Sequence, residues 1–178
     1  MDDKDKQPKL ALGFLSTVAL EKQAFLGGLL ITNCEGRPLE FQCTAPVQPN
    51  RTQVILYGPT LDSYIQTDLI AKTLVDRVTV RPSVLLVDSD GILPLRQLVD
   101  VPMGCLCESE QGGSLRIGRQ LLQFHREFSA DREAIETALG DIPAEADLAE
   151  PFERIQAALQ ETLGALATQP DGETRGAA

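Results

Sequence analysis

The chain reads as an α+β (or α/β) protein: a three-strand antiparallel meander, a helix, further strands of a mixed sheet, then acidic C-terminal helices. Three observations predict this. Apolar runs rich in β-formers fill residues 10 to 44 and are broken only by short turns. A stripe of apolar residues at helical spacing follows over 60 to 78. Short apolar segments then alternate with helical ones, which is the order of a layered sheet-and-helix domain.

The strands come first. "LALGFLSTVAL" (10–20) is apolar and β-rich, and "EKQA" turns it. "FLGGLLITN" (25–33) is an almost unbroken apolar run, as expected of a strand covered on both faces. Gly27 and Gly28 inside it point to close backbone packing or a bulge. After the turn "CEGRP", residues 39 to 44 alternate, with Leu39, Phe41 and Cys43 on one side and Glu40, Gln42 and Thr44 on the other.

Pro46 and Pro49 stop the third strand, since proline donates nothing to a ladder. Asn50 is placed to cap a short helix, "RTQVILY", that Gly58 and Pro59 end. Thr60 or Asp62 opens a long amphipathic helix to about Val78. "SVLLVD" is a short buried strand closed by Asp88, Ser89 and Asp90, "GILPLRQLV" a turn or two of helix, and "VPMGCLCE" another strand. Residues 115–125 suit strand and helix equally. Ser129 caps a helix through Leu139, and a last helix spans about Asp147 to Ala167, with Asp147 and Glu150 as a capping-box pair.

This divides the chain into a polar N-terminus (1–9), a mixed core (10–128), an acidic helical segment packed on it (129–167) and a polar tail (168–178). The ends are expected to be loose.

Bulk properties narrow the function. At 43% hydrophobic and 24% charged, with no tryptophan, the 178 residues have enough aliphatic side chains for a core. The net charge of −10 is concentrated late: nine acids face two arginines between 130 and 161, whereas 37 to 126 balance at nine of each. A chain of this sign gains little from counterion release, so nucleic acid is a disfavoured partner. "MDDKDKQPK" is a neutral leader and no apolar run reaches membrane-spanning length, so a soluble cytoplasmic protein with no membrane contact is expected. "NRT" (50–52) is then an idle glycosylation match.

No phosphate-binding glycine loop or nucleophile elbow occurs, and His125 is the single histidine, so no cofactor is expected and the balance leans away from an enzyme. Four cysteines raise the alternative of structural zinc. Cys34 and Cys43 would however sit roughly 13–20 Å apart along a hairpin, and Cys105 and Cys107 form a lone C-x-C, so buried reduced thiols are the expectation.

The strongest candidate surface is "APVQPNRTQVILYGPTLDSY" (45–64), which holds both tyrosines and three of the eleven prolines. Arg51, Tyr57 and Tyr64 belong to types enriched where interfaces concentrate energy, and prolines reduce the ordering cost of binding. With Arg37 and Asn50 these residues form the candidate contact site of a non-enzymatic interaction or regulatory module, acting through a protein partner or self-association. The competing reading is a rigid crossover.

The element order over residues 10 to 107 resembles that of the ribonuclease H-like superfamily. That resemblance implies a metal-dependent nuclease, with two divalent cations bridged at the sheet centre and an acidic residue in the first strand. "LALGFLSTVAL" carries no acid. Asp88 matches the family's fourth-strand acid in position, with Asp90 a further weak candidate, and Glu40, Asp62 and Asp68 are the available second carboxylates. "GGLLITNCEGRPLEF" also resembles the hairpin of roadblock-like and profilin-like modules, which would imply a partner-binding scaffold.

Overall fold

A computed structural model describes residues 10–168. The loose ends expected at 1–9 and 168–178 lie, Thr168 apart, outside the described residues. Seven strands form one mixed sheet: β1 (Ala11–Ala19), β2 (Phe25–Asn33), β3 (Pro38–Cys43), β4 (Val84–Val87), β5 (Met103–Cys107), β6 (Leu115–Ile117) and β7 (Gln120–Gln123). Their order is β3-β2-β1-β4-β5-β7-β6. The meander β1–β2–β3 is antiparallel, β1–β4 and β4–β5 are parallel, and β7 and β6 close the far edge antiparallel. The sheet is therefore mixed and α+β, with ribonuclease H-like topology. The roadblock- and profilin-like expectation fails because the element ahead of the hairpin is an interior strand of the same sheet, paired on its other side with β4.

Side-chain alternation along the central strands feeds two cores. Leu15, Leu29, Ile31, Leu85 and Val87 point to one face, where the first helices pack. Phe14, Leu26, Leu30 and Leu86 point to the other, under the C-terminal helices. On the first face α1 (Arg51–Tyr57) precedes α2 (Leu61–Tyr64), which runs through a π-helical stretch, Ile65–Ala71, into α3 (Lys72–Arg77). A 3-10 helix, Asp90–Gln97, fills the rest of that face with Ile92 and Leu95. On the second face lie α4 (Ala130–Ala138) and α5 (Glu150–Ala167). Among the described residues no helix is long and apolar enough to cross a membrane.

Local chemistry explains the boundaries. Asn50 accepts from the Gln53 amide while Gln53 reaches back to the Asn50 amide, a capping box that satisfies two orphan N–H groups. The box expected at Asp147 does not form. Asp147 instead accepts from Gln120 Nε2 and the Ala149 amide, and α5 starts at Glu150 with Pro151 in its first turn. Residues 115–123 are a hairpin, β6 and β7, hinged at Gly118, whose φ of +54° suits glycine.

β3 departs from simple alternation. As an edge strand it carries Leu39 and Phe41 more than a third exposed, because α5 covers β1 and β2 and stops short of the rim. Glu40 accepts from the Thr79 and Val80 amides just beyond α3.

The paired glycines of β2 set the spacing of the layers. A Cβ on Gly27 would lie 2.1 Å from Ile70 Cγ2, and one on Gly28 would lie 2.8 Å from Ile155 Cγ2 on the opposite face. Each glycine lets a helix close onto the sheet. Gly27→Ala is expected to destabilise the fold by about 1–3 kcal/mol through overpacking. Urea denaturation checks this as a lower midpoint with an unchanged slope.

Candidate active site at the ends of the central strands

The pairing of β1 with β4 matches Leu12 to Val84 and Leu15 to Val87, which carries Ser16 alongside Asp88 where the parallel strands end. In sheets of this kind the carboxyl ends of parallel strands, where the connections diverge, form the usual ligand-binding crevice. The Ser16 hydroxyl donates to Asp88 Oδ2 at 2.6 Å. Ser16 is buried and Asp88 only partly so, leaving the carboxylate as the accessible member of the pair. Burial raises the Asp88 pKa above the ordinary carboxylate value, and the hydrogen bonds from Ser16 and from its own backbone amide oppose that rise. On the other face of β1, Thr17 donates to Gln66 Oε1 at 2.7 Å, bringing the π-helical stretch to the same strand end.

A cleft of about 830 Å³ opens beside this edge, between the 3-10 helix and the loops flanking β6 and β7. Asp90, two residues beyond Asp88, lines it, as do Gly113, His125, Arg126, Glu127 and Arg132, while Asp88 itself lies outside the lining. His125 packs edge-on to Phe128 at 5.3 Å, and the Arg96 guanidinium lies 4.2 Å over the Phe128 ring. Arg96 also holds the buried Asp131 through Nε at 2.8 Å and Nη2 at 3.2 Å, while the Met103 amide donates to the same carboxylate at 3.1 Å. That clasp ties α4, the 3-10 helix and β5 into one wall.

The other candidates are scattered. Glu40 pairs across the ladder with Ile31, and Ile31 with Gly13, toward the opposite end of β1 from Ser16. Asp62 and Asp68 are exposed on the first helical layer. Asp90 opens the 3-10 helix, in which no side chain caps the first turn. Among the described residues no three His, Cys, Asp or Glu side chains come together. Cys34 is exposed in the β2–β3 turn, whereas Cys43 pairs with Gly28, six residues up the ladder. Burial first, then the charges of Asp90 and Asp88, push the Cys105 thiol up to about 11 against a hydrogen bond from Gln123, so it stays protonated at neutral pH.

Of the surface segment, Tyr57 and Tyr64 stack with centroids 4.2 Å apart, and Ile55 and Leu56 beside them are exposed. Asn50 is taken up by its cap, Arg51 begins α1, and Arg37 follows the β2–β3 turn, on separate elements from the Asp88 edge.

No family model and no curated protein matches the sequence. Solved structures do. Human ENDOV superposes with a TM-score of 0.56 over 86% of each chain at 13% identity. The fold is shared with that protein. An Endonuclease V from Ciona intestinalis, solved with DNA containing an inosine followed by a ribo-adenosine, gives a TM-score of 0.49 at 10% identity over 86% of this chain and 87% of its own. The expectation of a non-enzymatic protein-binding module is corrected by this likeness, which favours the nuclease alternative. Nucleic acid, set aside on net charge, returns as a plausible partner. The acidic excess that set it aside lies in 130–161, whereas the cleft is lined by two arginines, Arg126 and Arg132, and two acids, Asp90 and Glu127.

The fold family's pair of divalent cations does not fit the residues present. β1 offers a hydroxyl in place of a carboxylate, and that hydroxyl already occupies an Asp88 oxygen.

The environment of Asp88 has a consequence for stability. Its folded pKa is raised, so the folded chain retains the proton at pH values where the unfolded chain has lost it. The carboxylate then weighs against folding as pH rises through the folded-state value, and has no such effect below the ordinary value of 3.8. Asp88→Asn is expected to gain stability relative to the parent between about pH 3 and pH 7. Urea midpoints of both proteins at the two pH values test this, and the opposite trend refutes the burial argument.

Proposed function

We propose that this chain acts on nucleic acid as a nuclease-type protein, with the strand seated in the cleft and Asp88 facing the scissile phosphodiester. The observation that carries the reading is the position of Asp88, a partly buried carboxylate at the ends of the two central parallel strands of a fold shared with an endonuclease.

In the proposed step, Asp88 takes a proton from a water whose oxygen bonds to phosphorus. The bond from phosphorus to the leaving sugar oxygen breaks, and that oxygen takes a proton from solvent. Raised basicity suits the role, since a general base works best when its pKa approaches the working pH. Ser16 keeps Asp88 oriented through the hydroxyl bond and, being buried, does not meet the substrate. Arg126 and Arg132 supply the cationic contacts for the phosphates, against Asp90 and Glu127 in the same lining.

Fluorescence anisotropy with labelled single- and double-stranded DNA and RNA, at about 50 mM salt, tests binding. The expected result is micromolar or tighter affinity that weakens with salt, falls several-fold in Arg126→Ala, and persists in Asp88→Asn. Denaturing electrophoresis tests cleavage, expected to be lost in Asp88→Asn. No binding to any of the four oligonucleotides would overturn the proposal.

A further inference from the structure

Apart from Asp90, exposed at the start of the 3-10 helix, the accessible carboxylate at this edge has no acid as a neighbour, and its hydrogen-bond partner is a hydroxyl. A divalent cation needs about six oxygen ligands at about 2.0–2.6 Å, and a pair of ions needs carboxylates to bridge them. At the end of β1 the side chain facing Asp88 is Ser16, 1% exposed. Its hydroxyl donates to Asp88 Oδ2 across 2.6 Å, so one lone pair of that carboxylate meets a proton where a paired carboxylate would meet a shared cation. On the neighbouring strand, Ser16 pairs with Gly28, which brings no ligand and admits Ile155 and Leu159 of α5. The helical residue that reaches the strand end is the amide Gln66, itself bonded to Thr17. Cys105 remains a thiol.

We infer that this edge works without a divalent-cation pair, with the Ser16 hydroxyl beside Asp88 where a second carboxylate would be required. The inference rests on reading the edge as the working site. It assigns phosphate neutralisation to Arg126 and Arg132, and leaves Asp88 hydrogen-bonded to a hydroxyl in place of a second acid.

Thermal melting and isothermal calorimetry of the full chain against MnCl2 and MgCl2, up to about 10 mM, test it without any oligonucleotide. The expected melting temperature stays within about 1 °C of the EDTA value, with no saturable heat. Saturable binding that raises the melting temperature and disappears in Asp88→Asn would overturn the inference. Ser16→Asp, which sets a second carboxylate against Asp88, is expected to melt lower in EDTA and to recover part of the loss in MnCl2. A folded Ser16→Asp protein no more responsive than the parent would overturn the assignment to Ser16. Should that variant fail to fold, the parent titration decides. Oligonucleotide binding is a separate measurement, so loss of the nuclease reading and a cation site at Asp88 give different results.

Discussion

The parallel pairing of β1 with β4 is the constraint on which the arrangement depends. It joins an antiparallel meander to the second half of the sheet, and it is made between segments about seventy residues apart in the chain. Side chains alternate along a strand, so a slip of one residue would send Phe14 into the wrong core and turn Ser16 away from Asp88. Two independent apolar layers resist that slip, one under the early helices and one under α4 and α5. The glycines at 27 and 28 allow both layers to close at once. The Ser16–Asp88 contact is thus a by-product of register, its geometry held by the core.

Much of the scaffold was legible from local chemistry. The unbroken apolar run of β2 announced burial on both faces, and Asn50 with Gln53 announced a capped helix. The hairpin at 115–123 was not legible, because two strands of three and four residues are too short for periodicity to separate from a helix. The start of α5 was misplaced because Asp147 found a better partner in Gln120, on a strand end far from it in sequence.

The site was half legible for the same reason. Asp88 stood out as an acid closing a buried strand, but nothing near Ser16 marks it as its neighbour. That contact exists only once β1 and β4 pair. The cleft was likewise invisible: nothing in the sequence joins His125 and Arg126 to Asp90, and they meet only once the Arg96–Asp131 clasp fixes α4 against β5. Buried ion pairs of this kind contribute little net stability when intact, yet removing one partner strands a charge. Their value here is placement.

One feature of the rim reaches beyond the site. β3 leaves half of its backbone unpaired and shows Leu39 and Phe41 to solvent, the profile of a strand that invites a second copy to dock and extend the sheet. Glu40, wedged between those two residues and anchored to the Thr79 and Val80 amides, plants a fixed negative charge in the middle of that border. An incoming strand would have to bury it or displace it. The same carboxylate that staples the end of α3 therefore doubles as a guard against edge-to-edge aggregation.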